Sequence, residues 1–307
     1  MNESNYLKEM FIDEAKHALD YWNGVGGNSG GADEWFNDGN THIWITLAEG
    51  RTSPMLGVCP NGTVTVDWGD GTTPDVLTGT SEGTVVLTPT HNYESAGEYI
   101  ITLKVDGVFG INGANEASYL LRHYYAEHTL NKSYTAAIQK VEVGDGALIG
   151  SCAFYSCYNL SAVKIPDGVQ KIDASAFNSC YSLRNIDLPT GLTFIGPSAF
   201  TNCLSLGSVY IPDGVTTLNS SVFQNCTGLA NVRIPKSVDT IDTNAFYSCR
   251  GLAFCDCTEH TGVPTLVNSN AFTYVANDFK IYVSESIADA WRKATNWSRN
   301  SGWIVGV

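Results

Sequence analysis

Positive charge is scarce in this chain: 17 Lys and Arg stand against 31 Asp and Glu, a formal charge of −14. That balance repels phosphate backbones and anionic lipid, and no run of Lys or Arg offsets it, which argues against nucleic-acid binding. Long apolar runs are missing too, since no stretch approaches the roughly 18–20 uninterrupted apolar residues of a membrane span. The opening MNESNYLKEM has neither a basic start nor an apolar core, so it does not read as a secretory signal. There is no C-x-x-C pair and no Cys/His spacing of the zinc type, and no metal or cofactor is expected. What remains is the composition of a folded protein: 307 residues, 43% hydrophobic and 11% aromatic, enough for about two domains.

The dominant pattern is a repeat of 23 residues. Phe154, Phe177, Phe200, Phe223 and Phe246 each follow a small residue. Three positions after each Phe stands Cys157, Cys180, Cys203, Cys226 or Cys249, and three further on Leu160, Leu183, Leu206, Leu229 or Leu252. The full unit reads A-F-x-x-C-x-x-L-x-x-h-x-h-P-x-x-h-x-x-I. Its h-x-h element (Val163-Lys164-Ile165 in the first regular copy) alternates as a short strand does, apolar residues inward and the middle one outward. Pro166, Pro189, Pro212 and Pro235 end each strand because proline has no N–H for the next ladder. A fixed period of this length means one small unit stacked on its own copies. Nine cysteines could suggest a disulfide framework, but the odd total and the in-register column favour reduced, buried thiols.

This unit resembles the BspA-type (treponemal) leucine-rich repeats of bacterial surface proteins, over residues 140–283. Less regular coils are expected at Val141-Glu142-Val143, at Cys255-Asp256-Cys257 and at Ile281-Tyr282-Val283, with Phe272 displaced by three extra residues in EHTGVPTLV. Residues 284–307 read as a C-terminal helical cap, with Ser284 at the helix start, an apolar face of Ile287, Ala290, Trp291 and Ala294, and Trp297 and Trp303 covering the remainder.

Upstream, residues 1–23 carry helical spacing of Leu7, Met10, Phe11, Ala15, Ala18, Leu19 and Trp22, an amphipathic helix suited to docking or oligomerisation. Residues 24–40 are a Gly-rich linker. Its Gly27-Asn28-Ser29-Gly30-Gly31 matches G-x-S-x-G in letters but lacks the strand and helix that a nucleophile elbow needs. Residues 41–107 alternate as short strands, and Asp70-Gly71 marks a hairpin. The run Asp67-Trp68-Gly69-Asp70-Gly71, then His91-Asn92-Tyr93, then Gly97-Glu98-Tyr99 and Thr102-Leu103-Lys104-Val105 resembles a PKD domain, which implies an immunoglobulin-like sandwich. Asp67 and Asp70 are too few for a calcium shell and read as turn formers. Residues 108–139, with His123 and His128, read as an adaptor over the first coil.

The expected fold is therefore mainly β: an Ig-like (PKD) sandwich, then a leucine-rich-repeat solenoid with a helical cap. Stacked strands would align Glu142, Lys164, Asp187, Tyr210, Arg233, Asp256 and Tyr282 in one outward column about 29 Å long, with Phe254 beside it. Either that column is a recognition surface whose anchors are Tyr210, Arg233 and Phe254, or Glu142–Lys164–Asp187 and Arg233–Asp256 are surface charge pairs worth little. A solenoid gathers no catalytic groups, and the expected function is non-catalytic adhesion. The resemblance implies a protein or glycan partner on another cell and an extracellular location, on a cell surface or, as a variant, on a phage virion. A purely structural spacer is the alternative.

Overall fold

The computed structural model describes residues 35–49, 52–60, 62–79, 87–106, 109–111, 121–123 and 136–307. The expected helix of residues 1–23, the Gly27–Gly31 motif and His128 lie outside the described residues.

Alternating apolar segments become β1 (Thr41–Leu47), β2 (Pro54–Leu56), β3 (Cys59–Pro60), β4 (Thr63–Asp67), β5 (Asp75–Thr78), β6 (Gly97–Asp106), β7 (Phe109–Ile111), β8 (Leu121–His123), β9 (Ile138–Glu142) and β10 (Ala147–Ile149). The repeats then add a front and a return strand per coil: β11 (Ala162–Lys164) and β12 (Lys171–Ile172), β13 (Asn185–Ile186) and β14 (Phe194–Ile195), β15 (Ser208–Tyr210) and β16 (Thr217–Leu218). β17 (Asn231–Arg233) and β18 (Thr240–Ile241), then β19 (Phe254–Cys257) and β20 (Thr265–Leu266), continue the pattern to β21 (Lys280–Val283). Helix α1 (Glu285–Lys293) and β22 (Ile304–Gly306) close the chain.

Each coil is built by the residues that define the period. Val163, Ile186, Val209 and Val232 point inward and are buried. The prolines that follow each front strand accept a turn bond from three residues on, such as Val215 N to Pro212 O at 3.0 Å. Two further turns per coil pass through the left-handed region without glycine: Ser175, Ser198, Ser221 and Asn244 before the Phe, and Ser179, Asn202, Asn225 and Ser248 before the Cys. That conformation costs a non-glycine residue roughly 1–2 kcal/mol. Hydrogen bonds to the next coil hold it, among them Ser198 N to Ser220 O at 2.9 Å and Asn202 N to Gln224 O at 2.8 Å.

The interior is a column of rings. Phe154, Phe177, Phe200, Phe223, Phe246 and Phe272 are fully buried or nearly so, and consecutive rings stack nearly parallel with centroids 4.9–5.6 Å apart. Beside them run the thiols. Cys180 Sγ donates to Phe154 O at 3.2 Å, and Cys203, Cys226 and Cys249 repeat the bond to Phe177, Phe200 and Phe223. The eight cysteines from Cys152 to Cys257 are free, and all but Cys152 are buried. Burial pushes the thiols up, Cys249 to about 12.

At the N-terminal end, the order β13-β11-β9-β1-β6-β4-β5 forms one seven-stranded sheet, and β14-β12-β10-β7-β3 another. β9 pairs parallel with β11 on one side and antiparallel with β1 on the other, so His42 lies opposite Glu142 and Ile43 opposite Val141. β7 likewise extends the return ladder beside β10. β1 and, from within residues 108–139, β7 therefore continue the two ladders of the first coil. The pairing of β1 with β9 was not visible in the sequence. The reason is that β1, already alternating for a buried face, offers the unpaired edge of β9 a complete set of hydrogen-bonding groups, which periodicity alone does not reveal.

A correction concerns continuity. The front strands form two sheets: β15-β17-β19-β21-β22 is separate from the sheet that ends at β13. At this seam Gly207 N still bonds Arg184 O at 3.0 Å.

The C-terminal cap uses side chains on strand edges. Asn296 Nδ2 donates to Leu266 O at 2.7 Å, and Trp297 Nε1 to Pro264 O at 2.8 Å, which satisfies the outer edge of β20. Ala288 and Trp291 are the buried helix residues, whereas Ala290 faces solvent, contrary to expectation. Ser284 occupies the N-cap, but its hydroxyl contacts Ser286 Oγ at 3.0 Å instead of capping.

Candidate functional site

The front strands carry the expected column, and its members differ in character. Glu142 is 3% exposed, so it is not displayed. Its Oε1 accepts Asn37 N at 3.0 Å and Lys164 Nζ at 2.8 Å, partners that a buried carboxylate requires. The sequence missed this because the residue opposite in β1 and the segment at Asn37 come from 100 or more positions away. That neighbourhood is polar throughout. Buried His42 contacts Asp38 Oδ1 through Nε2 at 2.9 Å and Thr102 Oγ1 through Nδ1 at 3.0 Å. The bond from His42 holds the Asp38 carboxyl well below the usual range.

The expected Lys164–Asp187 and Arg233–Asp256 pairs do not form. Lys164 turns toward Glu142 and Asn37, and Asp256 accepts Thr258 N and Oγ1 at 2.9 and 2.7 Å. Arg233 instead places its guanidinium 4.8 Å from the Tyr210 ring centroid, donates to the Tyr210 hydroxyl, and pairs with Glu259 at 2.5 Å. Burial works to lower the Arg233 pKa, but the Glu259 carboxylate outweighs it and the guanidinium is held charged. Glu259 opens the EHTGVPTLV segment, which carries three residues beyond the regular period. Tyr210 is 49% exposed. Farther along, Phe254 and Tyr282 are half-buried and meet edge to face at 6.0 Å.

One exposed apolar patch went unnoticed in the sequence. Tyr181 and Leu204 are exposed in the turns leading into the front strands, and Tyr158 stacks on Tyr181 at 4.8 Å. Their common offset from the Cys was visible, but turn positions were read only for geometry.

At the WGDG turn, both carboxylates are engaged by the protein. Asp67 Oδ1 accepts Gly69 N at 2.9 Å, and Asp70 accepts Thr72 N and Oγ1 and meets His91 Nε2 at 2.7 Å. Burial raises the Asp70 pKa, but these hydrogen bonds outweigh it and hold the group at about 2. Gly69, with φ +78°, is fixed: a Cβ there would lie 2.4 Å from Ile100 O. His91 stacks on Trp68 at 4.9 Å, and the Tyr93 hydroxyl donates to Trp68 O at 2.8 Å.

Residues 147–279 match, in six copies, the family described as BspA type Leucine rich repeat region. Among solved structures, the T. pallidum Leucine Rich Repeat protein is 27% identical, over 54% of this chain and 69% of that one, with a TM-score of 0.38. A leucine-rich repeat protein from Bacteroides ovatus is 21% identical over 63% and 55%, with a TM-score of 0.36. A leucine rich cell surface protein from Faecalibacterium prausnitzii is 22% identical over 47% and 53%, with a TM-score of 0.28. This chain thus spans 69% of the first and about half of the other two. No curated protein matches it. The repeat region is thus similar to the BspA leucine-rich type.

Proposed function

We propose that this chain is a non-catalytic recognition protein that binds a partner on another surface through the front strands of its solenoid. The observation that carries this reading is the Tyr210–Arg233–Glu259 arrangement, in which a half-exposed ring is held by a guanidinium that is itself clamped by a carboxylate. Tyr and Arg dominate binding hot spots, and a clamped pair loses little side-chain entropy on association. Phe254 and Tyr282 extend the same face toward the cap. A solenoid face of this kind suits a protein or glycan ligand, and an extracellular location follows from the same reading. Residues 41–107 are proposed to be a PKD-like domain on the strength of the Trp68, Asp70, His91 and Tyr93 cluster, serving as the N-terminal cover of the solenoid.

The spacer reading has one observation in its favour: both sheets run from the N-terminal strands into the first coils, which makes a stiff joint. The two readings separate in a cell-binding isotherm of the labelled full chain. Recognition predicts that substituting Tyr210, Arg233 and Phe254 together by Ala abolishes saturable binding, whereas a spacer binds no cell surface saturably in either form.

A further inference from the structure

We infer that Lys164 and Asn37 close an intramolecular isopeptide bond, Nζ to Cγ, with Glu142 as the proton carrier. The bond is a single-turnover modification of the chain by itself, where the N-terminal strands join the solenoid, and it stands apart from the recognition reading.

Three elements bring the three groups to one point. Lys164 in β11 lies opposite Glu142 in β9, and its Nζ is 2.8 Å from Glu142 Oε1. The same Nζ donates to Asn37 Oδ1, on a residue 127 positions away in the chain. Glu142 Oε1 also accepts Asn37 N at 3.0 Å, so one carboxylate oxygen touches both reacting residues. Asn37 stands just before β1 with φ +54°, a left-handed backbone that its short polar side chain tolerates. Its segment is pinned to the turn after β9. Asp145 N donates to Gly39 O at 3.0 Å, and Gly144 N to Thr41 Oγ1 at 2.9 Å. Gly144 permits that approach, since a Cβ there would lie 2.7 Å from Gly39 O. The amide is thereby held against the amine.

The setting supplies what the chemistry requires. An amine attacks a carboxamide only when unprotonated, and the buried Glu142 carboxylate is within reach of Nζ to take a proton. Cγ lies about 1.2 Å beyond Oδ1, so a small rotation of the amide brings the carbon to Nζ. Holding the reactants in contact replaces a bimolecular encounter, which is what so slow an amide exchange needs. Nζ loses one proton to Glu142 and attacks Cγ, forming the new C–N bond and moving charge onto Oδ1. Glu142 passes that proton to Nδ2, the carbonyl re-forms and the Cγ–Nδ2 bond breaks. The leaving ammonia takes up the second proton shed by Nζ and departs as ammonium, and Glu142 is a carboxylate again. No oxidant or co-reactant enters. The product fastens the segment before β1 to β11 and constrains the unfolded chain over a long loop.

The test is intact mass and tryptic mapping of the purified full chain, held overnight at neutral pH and then denatured. The inference predicts a mass one ammonia below that of Lys164→Arg, once the substitution is allowed for. It also predicts a branched peptide joining residues 17–51 to 141–171, uncut at Lys164. Glu142→Gln should keep the parent's circular dichroism yet give the full mass and linear peptides. On a denaturing gel the parent should run ahead of both variants, because a closed loop compacts the unfolded chain. Full mass and separate peptides 17–51 and 141–164 from the parent would mean an ion pair and a hydrogen bond only, and would overturn the inference. A branched peptide as abundant in Glu142→Gln as in the parent would overturn the role of Glu142. The parent's own map decides the bond even if a variant fails to fold.

Discussion

Phe200→Ala probes the ring column where it is most regular. Phe200 is fully buried, and its centroid lies 5.3 Å from Phe177 and 5.5 Å from Phe223, with interplanar angles of 2° and 8°. Truncating a buried Phe costs about 3–5 kcal/mol, because the lost transfer energy is joined by a cavity that rigid coils cannot close. Loss of two stacked contacts adds to this at about 0.5–1.5 kcal/mol each, so about 4–8 kcal/mol is expected in all. With an m-value near 3 kcal/mol/M, the urea midpoint would fall by about 1.3–2.7 M. Phe200→Leu keeps most of the volume and forfeits chiefly the ring contacts, for about 1–3 kcal/mol. Equilibrium unfolding followed by circular dichroism and by tryptophan fluorescence reads both variants. Because β1 and β7 belong to the same sheets as the first coils, the two signals should fall together. An Ala variant within about 1 kcal/mol of the parent, or a Leu variant as weak as Ala, would refute the stacking account. Separate transitions would refute the shared sheets.

Other outcomes follow from the same structure. In the native chain, iodoacetamide should label Cys249 far more slowly than Cys152, because a thiol held at about 12 is almost wholly protonated at pH 8; site-resolved mass spectrometry reads the ratio. Asp70 has a folded pKa of about 2, below its ordinary 3.8, so its stabilisation is complete above about pH 4 and lost as pH falls toward 2. Asp70→Asn should flatten the acid limb of a melting-temperature profile over that window. Glu142→Leu removes the partner of Lys164 and of Asn37 N, and hydrogen exchange should rise at β9 and β11 without loss at β19. Asn296→Ala frees the carbonyls of Leu266 and Val267, and exchange in β18–β20 should rise while the front ladder is unchanged.

The solenoid was legible because each of its residues is a local instruction repeated. Phe, Cys and Leu at fixed offsets declare an interior, an h-x-h element a strand, and Pro its end. The Cys255 and Cys257 strand could be aligned from that register alone, and both are buried as the register requires. What the sequence concealed depends on partners far along the chain. Glu142 looks outward by alternation, yet a segment more than 100 residues upstream closes over it. Arg233 lies across from Asp256 as expected, yet it pairs with Glu259, because Asp256 is taken up by Thr258 N and Oγ1. The left-handed Ser and Asn turns carry no glycine to announce them, since bonds to the next coil hold them. Ala290 and Ala288 could not be told apart for the cap, because the helix is short and its rotation is set by Trp291 packing beside His260 and Trp297.

The central claim is that the front strands, and not another surface, engage the partner. The patch of exposed Tyr181 and Leu204 with half-buried Tyr158 is the rival, and the contrast between the two decides it. Binding of the labelled full chain to intact cells should be measured for the parent, for Tyr210/Arg233/Phe254→Ala and for Tyr158/Tyr181/Leu204→Ala. The account predicts saturable binding lost in the first variant and kept in the second. Binding kept in the first, or lost only in the second, would contradict it.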